Sequence, residues 1–445
     1  MVVLWTDALL FLLASVGAWC VYYLHTQAHH KRAVDYLKNS PIGMASWLLL
    51  CCFLLIGLMD SLHFHSLASQ NKEIISVLDT LLATLRSHTE KTYSAPFAST
   101  LFNKEMLVLA DGSSAWGQPR LSFGGQHLAS PDSQQLTDIL TKTGRGLLHA
   151  AGLCLLTYGL FAKRMTTAFT PATARALWLT FFTIFCLAYT LTYLSQFYHV
   201  LGTDKVGEDV FYQTIKSIRT GLVLGSLTTL IMLPMAILFG ILAGFFQGWI
   251  DDVIQYVYTT LNSIPSVLLI AAAILMVHIF MANHEADFTS LIVRADMRLL
   301  FLCIILGVTS WTGLCRLLRA ETLKLREMDY VQAAIALGVK QRTILWRHIL
   351  PNVMHIIIIS IVLDFSSLVL AEAVLSYINI GVDPTTYSWG NMINGARLEM
   401  AREPVVWWSL TGAFVLMFML VLAANLFADT LQNAFDPRRN FQRHD

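Results

Sequence analysis

Residues 326–351 read REMDYVQAAIALGVKQRTILWRHILP and form a polar, basic island between long apolar runs. The stretch from Arg316 to Arg347 holds seven lysines and arginines against three acidic residues. Loops this basic between membrane spans belong on the cytoplasmic side. The island is therefore predicted to be a cytoplasmic loop that separates two membrane helices.

Apolar residues recur inside the island at helical spacing. Four of them follow an i, i+3, i+4, i+7 pattern, namely Tyr330, Ala333, Ala334 and Leu337. This pattern predicts a short helix with one apolar stripe. Asp329 is placed to cap its start, Gly338 to close its end, and Pro351 to begin the next membrane helix. Small alanines in the stripe would let another protein approach the backbone closely.

This loop resembles the EAA loop of ABC-importer permeases, whose pattern is E-A-A, three residues, Gly, nine residues, then I-x-L-P. Gln332 stands at the glutamate position and His348 at the isoleucine position. The resemblance implies that cytosolic ATPases dock on this loop. The implied docking residues are Tyr330, Gln332, Ala333, Ala334, Gly338, Leu350 and Pro351. The alternative interpretation is an ordinary amphipathic cytosolic loop.

The composition restricts the class of protein. Of the 445 residues, 56% are hydrophobic and only 13% are charged, whereas soluble domains carry about 25% charged residues. The composition therefore predicts an all-α polytopic membrane protein. A formal net charge of +1 gives no case for nucleic-acid binding. The seven cysteines all lie in apolar runs and are interpreted as small buried hydrophobes.

Apolar runs of about 20 residues predict membrane-spanning helices. About nine such runs occur: Val3–Leu24, Ile42–Leu58, Gly146–Ala162, Leu177–Phe197, Gly221–Phe246, Ile254–Ala282, Leu299–Leu318, Asn352–Ile378 and Val406–Leu426. Nine alternating spans place the four most basic segments on one face, which satisfies the positive-inside rule. The N-terminus is then predicted outside and the C-terminus inside.

The domain organisation follows from these spans and from a shift in composition near Tyr198. Residues 1–59 are predicted to hold two membrane helices, 60–145 an outward (periplasmic) subdomain, and 146–197 two further helices. Residues 198–439 form the remaining core, with the cytoplasmic coupling loop at 320–351, and 440–445 form a cytoplasmic tail.

A second motif, HVLGTDKVGEDV, occupies residues 199–210. The residues alone predict a capped turn that leads into a membrane helix, since glycine permits tight turns and Thr and Asp bond local backbone. The motif also resembles the H-x-L-G-T-D-x-x-G-R-D-V signature of dipeptide/oligopeptide/nickel importer permeases. Glu208 replaces the usual arginine. The signature residues are Leu201, Gly202, Thr203, Asp204, Gly207 and Asp209, together with His199 and Val210.

Further motifs of that family follow in the same order. Residues 244–251, GFFQGWID, resemble its G-Y-x-G-G-W-x-D turn, and residues 371–382, AEAVLSYINIGV, resemble A-E-A-x-L-S-F-L-G-L-G-V. The resemblance runs from about Tyr198 to Arg439 and implies a type I, MetI-like permease core of the dipeptide "C" partner type. The first 197 residues depart from the family, because additional spans and the outward subdomain come first.

Two acidic residues lie inside the eighth predicted span, Asp364 and Glu372, two helical turns apart. Intramembrane acids usually face an interior or a cavity. Both are therefore candidates for a translocation path that accepts a peptide's amino group or polar backbone. The alternative is that they pair with a partner subunit or cap the backbone of a neighbouring helix.

The resemblance implies a permease subunit of an ABC importer in a bacterial inner membrane. It would form half of a heterodimeric channel with a sister permease, take energy from two ABC ATPase subunits and receive peptides from an extracytoplasmic binding protein. The chain has no G-x-x-x-x-G-K-[ST] phosphate loop, so ATP and Mg are expected on the ATPases, and no cofactor, metal or catalytic residue on this chain. A nickel or other small-solute permease and an ion-coupled secondary transporter remain the alternatives. A membrane enzyme has little support in the sequence.

Overall fold

The computed structural model describes residues 4–26, 31–65, 74–108, 114–284 and 290–435. Helices account for most of them. Their bounds are α1 Trp5–Thr26, α2 Lys31–Asn39, α3 Pro41–Asp60, α4 Val77–Leu81, α5 Ala83–Ser87, α6 Pro131–Ala168, α7 Pro171–Leu194, α8 Val210–Phe246, α9 Gly248–Ser263, α10 Ser266–Asn283, α11 Leu291–Ser310, α12 Thr312–Arg326, α13 Asp329–Ala336, α14 Gln341–Ile344, a π-helical turn Leu345–Ile349, α15 Leu350–Tyr377, α16 Trp389–Glu399 and α17 Trp408–Phe435.

Two short antiparallel strand pairs interrupt the helices between α3 and α6. Strand β1 (His63–His65) pairs with β2 (Ile74–Ser76), and β3 (Glu105–Val108) pairs with β4 (Ser114–Gly117). Both pairs fall inside residues 60–145. All four strands of the described residues thus lie in the segment predicted to form an extra-membrane subdomain. The predicted all-α membrane architecture is confirmed for the rest, which is mostly helical.

Six helices of the described residues are long and apolar enough to cross a membrane: α3, α7, α8, α10, the continuous helix Gln341–Tyr377 and α17. The predicted count of nine is not confirmed. The predicted span Ile254–Ala282 is divided because Pro265 separates α9 from α10, and proline has no backbone N–H to continue the first helix. The predicted span Leu299–Leu318 is divided at Trp311, a single residue with helical backbone angles between α11 and α12.

The chain forms two compact units. The first contains the described residues of 34–221 and 387–427, and with them the signature motif. The second contains those of 4–33, 222–386 and 428–435, and with them the basic loop and both intramembrane acids. Each unit has its own core.

In the first unit, leucines of α4 and α5 pack on the start of α8. Leu78, Leu82 and Leu85 form one buried cluster with Phe211 and Tyr212. The segment of residues 60–145 is therefore held to the first turn of α8 by an apolar contact as well as by the polar contacts described below.

In the second unit, the later part of α8 packs closely against α12. A Cβ added at Gly240 would lie 2.8 Å from the carbonyl oxygen of Cys315, and one at Gly244 would lie 2.7 Å from that of Arg319. Gly240 and Gly244 form a G-x-x-x-G pair, which lets membrane helices approach backbone to backbone. The contact places α12, which leads into the basic loop, directly on a membrane-spanning helix.

Helix α1 belongs to the second unit and is capped by a buried acid. The backbone N–H of Thr6 donates to Asp296 Oδ2 at 3.3 Å, and its hydroxyl donates to Asp296 Oδ1. A carboxylate at a helix N-terminus satisfies free N–H groups and opposes the positive end of the helix dipole. The N-terminal helix that departs from the family pattern thus packs on α11 of the family-like core.

Candidate functional site

The predicted short helix of the basic loop is present as α13. Its N-cap is Met328, with no side-chain cap, so the predicted capping role of Asp329 is wrong; Asp329 is the first helical residue. At the other end Gly338 has a φ of +71°. The N–H of Gly338 donates to Ile335 O at 3.0 Å and that of Val339 to Ala334 O at 3.1 Å. This pair of bonds is the Schellman closure that favours glycine.

The two faces of α13 differ in burial. Val331 and Ala334 pack into the core of the second unit, with exposed fractions of 0% and 8%. Tyr330 is 43% exposed, Leu337 is 82% exposed, and Ala333 is also exposed. Three of the four residues of the predicted stripe therefore face outward. An apolar face on a basic, polar loop has no membrane span to explain it and marks a contact surface.

Polar contacts hold α13 to the elements on either side. The amide of Asn352 donates to Tyr330 Oη at 3.1 Å and to His348 O at 2.6 Å. The amide of Gln332 donates to Arg326 O at 2.9 Å, at the end of α12. Gln332 therefore connects α13 to α12, and Tyr330 connects it to α15.

The loop joins the next membrane helix through a π-helical turn. Ile344 and Ile349 are fully buried, while Trp346 between them is 65% exposed. Leu350 and Pro351 form the first turn of α15, with the proline near N1 as predicted. A groove beside this junction is lined by Arg342, Thr343, Trp346, Arg347 and Pro351.

An ion pair connects α12 to α9. Arg319 Nε and Nη2 each donate to the Asp251 carboxylate at 2.6 Å. These hydrogen bonds from Arg319 are the main cause that lowers the pKa of Asp251 below its usual value. Bidentate arginine–carboxylate pairs fix orientation as well as distance. The pair therefore fixes the orientation of α12 relative to α9.

Gln247, between α8 and α9, has a backbone conformation that L-residues rarely adopt. Its φ is +55° and its ψ is −166°. This region is essentially restricted to glycine and costs about 1–3 kcal/mol for other residues. The permease pattern G-Y-x-G-G-W-x-D has glycine at this position, so the departure in this chain has a local conformational cost.

We expect Gln247→Gly to raise the free energy of unfolding by about 1 kcal/mol, because glycine removes the Cβ that makes this conformation unfavourable. The measurement is the melting temperature of the purified protein in detergent. Gln247→Ala is the matched control and should give no gain, since it keeps the Cβ. Equal gains in both variants would show that the Gln247 side chain, not the backbone, was unfavourable.

The signature motif contacts the segment of residues 60–145 through its backbone. Gly207 O accepts from Glu90 N–H at 2.9 Å, and Thr203 N–H donates to Ser94 O at 3.1 Å. The Thr203 hydroxyl lies 2.7 Å from Ser94 N and accepts its N–H. Trp408 Nε1 donates to Thr203 O at 2.9 Å. The turn expected from the residues is present, and its residues also hold residues 90–94 in place.

Two acids of the signature shape the turn itself. Asp204 Oδ1 accepts the N–H groups of Val206 and Glu208 at 2.9 and 3.0 Å. Asp209 Oδ1 accepts the N–H of Tyr212 at 3.0 Å and so caps the start of α8. Leu201 packs on the leucine cluster of the first unit. Within the described structure, each of these residues has a local structural contact.

A buried histidine links the signature motif to the segment of residues 60–145. His199 Nδ1 lies 2.6 Å from Asp209 Oδ2, and its Nε2 lies 3.6 Å from Glu90 Oε1. Burial lowers the pKa of His199, but the carboxylates of Asp209 and Glu90 outweigh it and raise that pKa to about 9. Burial also raises the pKa of Glu90, but His199 and the N–H groups of Ser122 and Phe123 outweigh it and lower that pKa to about 2. The imidazolium is therefore stable at neutral pH.

This network predicts the pH dependence of stability. The stabilisation from His199 is complete below its unfolded pKa of about 6.5 and is lost as the pH rises through about 9. That from Glu90 is complete above an unfolded pKa of about 4.3 and is lost as the pH falls through about 2. We expect the melting temperature to be highest between these limits and to fall above neutral pH. His199→Gln should flatten the alkaline fall, and an unchanged fall would contradict this assignment.

The two intramembrane acids lie in α15 of the second unit but differ in environment. Glu372 is 2% exposed, and its Oε1 accepts from the Ser376 hydroxyl at 2.7 Å. Asp364 is partly exposed, and no hydrogen bond or ion pair of its carboxylate is present among the residues described. Glu372 is thus satisfied inside its unit, whereas Asp364 presents its carboxylate at the surface of that unit.

Metal-binding chemistry has no assembled site in the described part of the chain. No three side chains of His, Cys, Asp or Glu come together there in a way that could hold a metal ion. Cys154 and Cys186 are buried free thiols that pack α6 against α7.

Comparison with known proteins gives one family model and several relatives. The model of the binding-protein-dependent transport system inner membrane component matches residues 236–441. The glutathione transport system permease protein GsiD of Pectobacterium atrosepticum is 30% identical over 240 residues, which cover 54% of this chain and 73% of that protein. The oligopeptide transport system permease protein OppC of Mycobacterium tuberculosis is 30% identical over 239 residues, which cover 54% of this chain and 76% of that protein.

A third relative is the dipeptide transport system permease protein DppC of Lactococcus lactis. It is 31% identical over 240 residues, covering 54% of this chain and 64% of that protein. Among solved structures, an inward-facing MetNI methionine ABC transporter chain is similar with a TM-score of 0.38 and 13% identity, covering 52% of this chain and 99% of that chain. The matched part of the sequence contains α9 to α17, with the basic loop and both intramembrane acids.

Proposed function

The chain belongs to the family of binding-protein-dependent transport system inner membrane components, and on this premise we propose that it is one permease subunit of a peptide importer. It forms half of a heterodimeric channel with a sister permease. Two ABC ATPases drive alternating access, and an extracytoplasmic binding protein delivers the cargo. Peptide cargo is supported by the names of three relatives, which transport glutathione, dipeptides and oligopeptides.

The exposed apolar face of α13 carries this proposal. Tyr330, Ala333 and Leu337 face away from the core of their unit, and Ala334 and Val331 anchor the opposite face. A small residue between two large exposed ones fits a partner that packs closely on the helix. We assign this face to an ATPase subunit. The other implied docking residues hold α13 in position and do not contact the ATPase. Gln332 bonds α13 to α12, Gly338 closes the end of α13, and Leu350 and Pro351 lie in the first turn of α15.

Movement of the loop has a route to the membrane helices of the same unit. Gln332 connects α13 to α12, and Arg319 connects α12 to α9 through its pair with Asp251. The tight contact of Gly244 with α12 connects α12 to α8. We propose that closure of the ATPases moves α13 and that these contacts carry the displacement into α8, α9 and α15 as one body.

The translocation path is assigned to the intramembrane acids. Asp364 is proposed to face the path or the sister subunit, because its carboxylate is partly exposed and has no partner in the described residues. Glu372 is proposed to hold the helix backbone beside the path through Ser376. An amino group of a peptide is the natural counter-charge for Asp364.

The topology is proposed from charge and composition. The chain is a multi-pass membrane protein, and we place the basic loop in the cytoplasm, residues 60–145 outside, the N-terminus outside and the C-terminus inside. ATP and Mg are proposed to bind only to the ATPase subunits. A small-solute or nickel permease would share this architecture, but the relatives named above favour peptides.

The proposal is tested by purifying the tagged chain from its native membrane and identifying what remains bound. We expect an ATPase pair with the wild type and its loss with Leu337→Glu, because a carboxylate replaces the most exposed apolar residue of α13. Gln341→Glu is the matched control, since it adds the same charge to the same loop at an exposed residue outside α13.

Each outcome decides between two interpretations. Loss of the ATPases with Leu337→Glu but not with Gln341→Glu would support docking on this face. Retention in both variants would reject it. A wild-type protein that purifies alone and transports only with a proton gradient would reject the importer and favour an ion-coupled secondary transporter.

A further inference from the structure

The groove at the start of α15 has a lining that ATPase docking does not explain. Five residues form it: Arg342, Thr343, Trp346, Arg347 and Pro351. All five are exposed, and Trp346 is 65% exposed. Neither arginine has a hydrogen bond or ion pair through its guanidinium among the residues described. Two unpaired cations and an indole therefore surround one concave surface.

The π-helical turn brings the two arginines to the same side. Residues five apart are separated by about 140° around an α-helix, which has 3.6 residues per turn. A π-helix joins residues five apart by its hydrogen bonds, so they lie nearly in line. The turn Leu345–Ile349 begins three residues after Arg342 and contains Arg347, so part of the path between the two arginines has π-helical winding. π-Turns of this kind are frequent at functional sites.

The position of the groove along the helix indicates what fills it. Leu350 starts the apolar part of a continuous helix, Gln341–Tyr377, that is long enough to cross a membrane. The groove therefore lies at the polar end of this helix, which we place at the level of the lipid headgroups. Exposed tryptophan is enriched at that level of the membrane. Basic residues at a span end attract anionic lipids by about 1 kcal/mol each.

We propose that this groove binds the headgroup phosphate of an anionic phospholipid. Arg342 and Arg347 pair with the phosphate oxygens, because the guanidinium fork matches phosphate geometry. The Thr343 hydroxyl donates to a third oxygen, and Trp346 packs beside the glycerol and upper acyl chain. A lipid accounts for both parts of the lining, since free phosphate would engage the arginines and leave the indole unused.

Fluorescence quenching by brominated lipids tests the proposal. The full-length chain is placed in nanodiscs of phosphatidylcholine, with a fixed minor fraction of brominated phosphatidylglycerol or brominated phosphatidylcholine. The signal of Trp346 is the difference between wild type and Trp346→Phe. We expect brominated phosphatidylglycerol to quench it more strongly than brominated phosphatidylcholine. The double variant Arg342→Gln/Arg347→Gln should need about 30-fold more anionic lipid to reach the same quenching. Each arginine contributes about fivefold to the affinity for that lipid.

The matched control removes the same charge elsewhere on the loop. Lys324→Gln/Lys340→Gln changes two exposed cations outside the groove and should keep the lipid preference. Should the double-arginine variant not purify, Arg347→Lys keeps the charge without the planar fork and should retain only part of the preference.

Four results would overturn the proposal. Equal quenching by the two brominated lipids would exclude an anionic-lipid site. An equal loss of preference in the lysine control would show that the preference comes from the total charge of the loop and not from the groove. Inorganic phosphate that abolishes the preference would identify a free anion as the occupant. Loss of the ATPases from the arginine variant with unchanged quenching would assign the groove to the protein partner.

Discussion

Replacing Lys216 by methionine is expected to lower the free energy of unfolding by about 3–5 kcal/mol, the usual effect of removing one partner of a buried ion pair. Lys216 Nζ lies 2.6 Å from Asp79 Oδ1 and 3.4 Å from Asp60 Oδ1. The side chains of Lys216, Asp60 and Asp79 are 14%, 5% and 6% exposed. Methionine keeps the length of the side chain but leaves two buried carboxylates without their cation.

Hydrogen bonds from neighbouring residues also stabilise the two carboxylates, Asp60 and Asp79. Ser76 donates through its hydroxyl to Asp60 at 2.7 Å and through its N–H to Asp79 at 2.9 Å. The hydroxyl of Tyr212 donates to Asp79 at 2.7 Å. Burial raises the pKa of Asp79, but the charge of Lys216 and these hydrogen bonds outweigh it and hold that pKa below its usual value. The segment of residues 60–145 is thus fixed to α3 and to the first turns of α8 by one charged cluster.

The measurement is the melting temperature in detergent, with Lys91→Met as the matched control. Lys91 makes an ion pair of similar length, 2.7 Å to Glu105, but its side chain is 69% exposed. Exposed pairs contribute at most about 1 kcal/mol. A similar fall in both variants would contradict the argument from burial. Adding Asp79→Asn to Lys216→Met should recover part of the loss, because one of the two unpaired charges is removed.

The sequence predicted those parts of the sites that depend on local pattern. Helix α13 and its glycine closure at Gly338 follow from periodicity and turn chemistry within ten residues, and Pro351 begins α15 as expected. The predicted single span Ile254–Ala282 contains Pro265, whose missing backbone N–H favours a break there. The structure divides that span because the residues before the proline form the separate, more polar helix α9.

Long-range contacts could not be predicted in this way. Lys216 and Asp79 are 137 residues apart, and Arg319 and Asp251 are 68 apart. Charged residues at the ends of apolar runs signal that a partner exists, since an unpaired buried charge is costly, but they do not identify it. The π-helical turn had no signal either, because α-helical periodicity predicts the wrong relative angle for Arg342 and Arg347.

Gly207→Ala, a substitution in the signature motif, is expected to lower the free energy of unfolding by about 3–5 kcal/mol. Gly207 has a φ of +83°. A Cβ at this position would lie 1.8 Å from the carbonyl oxygen of Glu90 and 2.4 Å from its carbonyl carbon. An unfavourable φ costs about 1–3 kcal/mol. The clash must also separate the two backbones, which breaks the bond from Glu90 N–H to Gly207 O at 2.9 Å, a further loss of about 1 kcal/mol or more.

The effect should extend to the buried histidine, because Glu90 carries the carboxylate that lies 3.6 Å from His199 Nε2. We therefore expect Gly207→Ala to lower the melting temperature and also to weaken its dependence on alkaline pH. Gly395→Ala is the matched control, since Gly395 lies in helix α16 and a Cβ there meets nothing within 4 Å. Alanine is favoured over glycine inside a helix by about 1 kcal/mol, so the control should be neutral or slightly more stable. A Gly207→Ala protein as stable as this control would mean that the signature turn and residue 90 are not in backbone contact.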